Sequence, residues 1–114
     1  MGLSNEWEWQ DEALIAKADG RIDGTNAREF QDALETVIKA SDKVMILDLE
    51  RLSYISSAGL RVILLAAKEL RQQDTKFAVC SLSNSIREVF EISGFDQIIP
   101  VHASLAEAIA ALKD

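Results

Sequence analysis

The sequence predicts an α/β fold. It reads as one domain over residues 1–114, with a mixed β-sheet, helices packed mainly on it, and the element order β-β-α-β-α-β-α-β-α. Three observations carry this. "KVMILDL" and "KFAVCSL" are short, nearly unbroken apolar runs, the pattern of strands covered on both faces. Between them, residues 57–72 have helical periodicity with apolar side chains around most of the circumference, so this helix is expected to be largely buried. Strand 44–49, helix 57–72 and strand 76–82 then form a unit whose strands should be parallel across a right-handed crossover. Finally, 114 residues at 48% apolar content suit one globular core.

The remaining elements follow in order. "EWEWQ" alternates acid and indole, which places Trp7 and Trp9 on one strand face as cover for the sheet. "ALIAKADGRI" is a second strand, and the short polar "QDE" between them suits a hairpin, so the chain should begin with an antiparallel pair. In "DGTNAREFQDALETVIKA", Phe30, Ala33, Leu34, Val37 and Ile38 make one helical stripe that Thr25 or Asn26 can cap. After "KFAVCSL", Ser85 and Glu88 have capping-box spacing for a helix reaching about Ile92, and Gly94 can supply its left-handed stop. "QIIPV" is a last short strand whose Pro100 suggests an edge or strand end. Ser104 and Glu107 repeat the capping box before a stripe of Leu105, Ala108, Ile109 and Leu112.

Charge and composition narrow the function. Twelve cations against nineteen carboxylates give −7, a balance that repels phosphate backbones and anionic lipid. No nucleic-acid partner and no membrane insertion are expected, and a soluble cytoplasmic protein is the plain reading. The single cysteine, Cys80, sits among apolar neighbours and reads as a small buried hydrophobe. His102 is the sole histidine, and no second ligand or nucleophile accompanies it. Glu6 and Glu8 merely alternate on a strand, so no acid/base pair emerges. Neither a catalytic residue, a metal site nor a cofactor is expected.

The stretch that stands out is "YISSAG", where a strand turns directly into the central helix. In such sheets, ligands and chemistry gather at strand C-termini. Ser56 or Ser57 can cap the helix by accepting a free N–H, an interaction of ~1 kcal/mol. The other reading makes one of them a site of modification. Gly59 lowers helix propensity by ~1 kcal/mol relative to Ala, which fits a need for close approach by a backbone or ligand. With small Ala58 it leaves the hydroxyls sterically open.

"ILDLERLSYISSAGLRVILLAAKEL" resembles the central motif of STAS domains, the anti-sigma factor antagonist family, and "GRIDGTNAREF" and "FEISGFDQIIPVHASLAEAIAAL" resemble its flanking segments. The likeness covers nearly the whole chain and is weakest over the first ten residues. The family signature is usually Asp-Ser-Ser/Thr-Gly-Leu, with its first serine phosphorylated by a partner kinase. Matched on Gly59 and Leu60, that serine is Ser57, with Ser56 as a second candidate hydroxyl. Ser56 stands where the family usually has Asp, and Ala58 where it has Ser or Thr. The resemblance implies partner contact through Asp23, Gly24, Ser56, Ala58, Gly59 and Arg61. Asp23 is also readable as a plain turn residue before Gly24.

The resemblance further implies a phosphorylation-controlled partner-switching module. Its partners would be an anti-sigma factor that is also a serine kinase with an ATP-binding fold, and a serine phosphatase. The chain would be a substrate and binding module rather than an enzyme. One alternative keeps the fold without the switch, as an accessory subunit of a transporter ATPase or a signalling scaffold. Another is a receiver domain accepting phosphate on Asp48 at a strand end. That reading requires an early acidic pair and a late lysine, which Asp11-Glu12 and "IIPV" do not supply.

Overall fold

The computed structural model describes residues 2–113, with the side chains of residues 2–6 outside that description. Five strands form one sheet in the order β1-β2-β3-β4-β5. β1 (Gly2–Gln10) pairs antiparallel with β2 (Ala13–Ile22), and β3 (Val44–Ile55), β4 (Lys76–Cys80) and β5 (Val101–His102) continue it in parallel. The helices are α1 (Ala27–Ala40), α2 (Ser57–Gln72), α3 (Asn84–Ser93) and α4 (Leu105–Leu112). The expected element order is therefore observed, with a short 3-10 turn, Phe95–Gln97, added before β5.

The core lies in two layers. Alternate residues of β2 and β3, among them Leu14, Ala16, Met45 and Leu47, face α1, α2 and α3. The intervening residues, Ala13, Ile15, Val44 and Ile46, pack under α4 on the other face. This alternation is the period-2 pleat of a sheet covered on both sides. Among the described residues, no helix is long and apolar enough to cross a membrane.

Several local expectations are corrected. β3 does not stop at residue 49 but runs to Ile55, because β2 extends far enough to pair with its second half: Asp19 opposes Arg51, Gly20 opposes Leu52 and Ile22 opposes Ile55. Asp48 therefore lies inside β3, buried, with its carboxylate accepting from Glu50 N at 3.0 Å. A receiver domain would need that carboxylate at a strand end. α2 is buried along one side only, through Leu60, Val62, Ile63, Ala66 and Leu70, while Leu65 is 42% exposed.

The cap of α3 is Ser83, not Ser85: Ser83 Oγ accepts from Ile86 N at 3.3 Å. Its extended backbone lets the helix start at Asn84. α1 begins after Asn26, but no side-chain cap bond forms there, because Asn26 is engaged in the turn before the helix. Ser104 caps α4 as expected, accepting from Glu107 N, and Gly94 ends α3 at φ 79°. β5 shrinks to two edge residues because the chain is still turning at Ile98 and Pro100 has no N–H to give the ladder. Trp7 and Trp9 stand opposite Ala16 and Leu14 at the β1 edge, yet remain 38% and 52% exposed, so they shelter the sheet margin only in part.

Candidate functional site

β2 and β3 run parallel and end together, Ile22 beside Ile55. The loops that follow them therefore meet. Ser56 N donates to Ile22 O at 2.8 Å, which fastens the start of α2 to the turn at Asp23.

That turn is closely hydrogen-bonded. Asp23 Oδ1 accepts from Thr25 N at 2.9 Å and from Thr25 Oγ1. Asn26 Oδ1 accepts from Asp23 N at 2.9 Å, and Asn26 Nδ2 donates to Arg21 O at 2.8 Å. Asp23 O receives Ala27 N at the start of α1. The Thr25 hydroxyl and then its N–H favour the ionised carboxylate, with Arg21 adding to them, so the Asp23 carboxyl is held below its usual value. Because the folded pKa is the lower one, this stabilisation is present above the unfolded carboxyl's pKa and is lost as pH falls through the folded value. NMR titration is expected to give an Asp23 midpoint below that of an ordinary aspartate, and Thr25→Val should raise it. An unmoved midpoint would dissociate the carboxylate from this turn.

The two serines separate cleanly. Ser56 is the cap: it is half-buried, with extended backbone, and its Oγ accepts from Gly59 N at 3.3 Å. Ser57 is the first residue of the helix proper and is exposed, and its hydroxyl has no hydrogen-bond partner among the described residues. Hence the structure assigns capping to one hydroxyl and leaves the other open.

Of the other expected contact residues, Gly24, Ala58 and Arg61 line one shallow groove between the starts of α1 and α2. Asp23 adjoins it through the backbone link at Ile22. Gly59 is buried instead, and a Cβ there would lie 2.7 Å from both Ile22 Cγ2 and Ile55 Cγ1. The requirement for glycine comes from internal packing, where the sequence had suggested close approach by a backbone or ligand.

Sequence reasoning missed Arg28, Val62 and Leu65, which also line the groove. The spacing of Ala58, Arg61, Val62 and Leu65 on one helix face could have found two of them, Val62 and Leu65. It also missed Arg21, whose guanidinium lies 4.3 Å from the Tyr54 ring centroid beside the same loops.

The remaining candidates lie elsewhere. Cys80 is buried in β4, and burial, helped by Asp48, pushes its thiol up to about 11, so it stays protonated and inert at neutral pH. His102 is a half-exposed residue of β5. The side chain of Glu6 is outside the described residues.

Comparison with known proteins gives a consistent result. The family model described as "STAS domain" matches residues 6–108. BtrV of Bordetella bronchiseptica, which carries the name of an anti-sigma factor antagonist, is 47% identical over 90% of this chain and 89% of its own. The crystal structure of an anti-sigma factor antagonist from Mycobacterium paratuberculosis superposes with a TM-score of 0.89 at 22% identity, covering 98% of this chain and 95% of that one. The antagonist SpoIIAA, solved in its unphosphorylated form, superposes at 0.77 with 24% identity and 95% coverage of each chain. Its phosphorylated form, from Bacillus, superposes at 0.69, covering 95% and 98%.

Proposed function

The chain belongs to the STAS domain family, and from that premise we propose that it is an anti-sigma factor antagonist whose binding is switched by phosphorylation of Ser57. The observation that carries the proposal is the division of labour between the serines. Ser56 Oγ is held by Gly59 N, whereas Ser57 presents an exposed and unengaged hydroxyl. The 47% identity to BtrV supports the antagonist role.

The unphosphorylated chain would dock its Asp23–Ser57 surface on an anti-sigma factor and so release the sigma factor. Asp23 makes its turn bonds through Oδ1 alone, which leaves Oδ2 for a partner. The anti-sigma factor would itself be a serine kinase. In that step Ser57 Oγ forms a bond to the γ-phosphorus of ATP, the bond to ADP breaks, and the hydroxyl proton passes to a base of the kinase. A serine phosphatase would reverse the modification by hydrolysis. The chain acts throughout as substrate and binding module.

The fold should tolerate the modified state. A phosphate adds roughly 1.5 to 2 negative charges, and the first turn of a helix, with its free N–H groups and positive dipole end, favours an anion. SpoIIAA, solved in both forms, is an instance of this fold carrying a phosphate.

Incubation with the cognate kinase and ATP should add one phosphate by intact mass. Ser57→Ala should abolish the gain and Ser56→Ala should preserve it. No gain in the unmodified chain would sink the switch and favour the accessory-subunit reading.

A further inference from the structure

The residue one helical turn beyond Ser57 is Arg61. Both are exposed on α2, and the Arg61 guanidinium makes no ion pair or hydrogen bond among the described residues. Residues four apart on a helix have Cβ atoms about 5–6 Å apart, and an acidic group N-terminal to a basic one is the favourable order. Helical side chains also lean toward the N-terminus. Helix geometry thus puts position 57 within reach of the long Arg61 side chain, which in the unmodified chain lines the groove beside Ala58 and Leu65.

We infer that a phosphate on Ser57 captures Arg61 within the same chain, so that modification withdraws a cation from the docking rim as well as adding an anion. This rests on the phosphorylation of Ser57 proposed above. Guanidinium and phosphate make bidentate, charge-assisted hydrogen bonds. Two other charged groups line the same groove: Arg28 of α1 across from Arg61, and Asp32, a carboxylate that forms an ion pair with neither arginine among the described residues. Arg28 sits on a different element and lacks the one-turn relation to Ser57. The consequence for a partner is a reversal of charge. A carboxylate that met Arg61 in the free form meets a phosphate with its arginine already engaged.

The test uses the full chain with phosphoserine installed at position 57 during translation, so it does not depend on any kinase recognising Ser57. Failure of the kinase experiment and failure of this one are therefore separate results. The probe is a 31P NMR pH titration of the second phosphate ionisation, which lies near pH 6 for phosphoserine. Arg61 stabilises the dianion more than the monoanion. Arg61→Gln should accordingly raise the midpoint by about 0.2–0.4 pH unit, the size of an exposed i, i+4 ion pair. Arg61→Lys should restore part of the shift, and Arg28→Gln should move the midpoint less than Arg61→Gln does. Any contribution from the helix terminus is common to all these proteins and cancels in the difference. A midpoint unmoved by Arg61→Gln, or moved further by Arg28→Gln, overturns the inference.

Discussion

Ser57→Asp should lose the partner that Ser57→Ala retains. In a pull-down from native extract, the kinase-like partner is expected with the wild type and with Ser57→Ala, and not with Ser57→Asp. The effect is electrostatic. Like charges ~6 Å apart at an effective dielectric of ~20 repel by roughly 3 kcal/mol, about a hundredfold in affinity. Screening and incomplete desolvation that halve this energy still leave roughly tenfold. A trivial folding defect is not expected. Ser57 is exposed at the first helical position, and a carboxylate there is favoured by the helix dipole. The thermal midpoint of Ser57→Asp should therefore match or slightly exceed that of the wild type. Equal retention by the Ala and Asp variants would remove the electrostatic switch, whatever the mass test gives.

The sequence carried the order of elements because most of them are announced by strong, local patterns. The unbroken run of β3, the amphipathic stripe of α1 and the Gly94 stop all depend on residues close together in the chain. What it could not carry were choices that depend on distant partners. The second half of β3 reads as polar and irregular until it is known that β2 continues alongside it to Ile22. Ser83 and Ser85 both offer a hydroxyl, and only the backbone path shows which one meets Ile86 N.

The site repeats the lesson. "SSAG" supplies two hydroxyls of nearly equal capping capacity, and the sequence leaves their roles open. The hydrogen bond from Ser56 N to Ile22 O settles the register, and with it which serine turns inward to cap. Arg28 was invisible as a groove wall because Ala58 and Arg61, which line the groove with it, belong to another helix.

Gly59→Ala should destabilise the protein although it replaces a helix-interior glycine. Propensity alone favours alanine by ~1 kcal/mol. Against it stands the 2.7 Å approach of the new Cβ to Ile22 Cγ2 and Ile55 Cγ1. Both atoms are attached directly to the Cβ of buried, β-branched side chains, so relief demands a rotamer change or a backbone shift. Overpacking of this kind costs about 1–3 kcal/mol. Set against the propensity gain, the net expectation is a loss of up to about 2 kcal/mol and a fall in Tm of about 5 °C, measured by thermal unfolding. A rise in Tm would mean that helix propensity governs the position. Combining Gly59→Ala with Ile55→Ala should cost less than the two changes added, because the second removes an atom that the first strikes. The effect should also reach partner binding. Ile22 immediately precedes Asp23 and Ile55 precedes Ser56, and the two stand opposite each other where the strands end. A wedge at Gly59 pushes on both loops at once, so Gly59→Ala should weaken docking even in the fraction that remains folded.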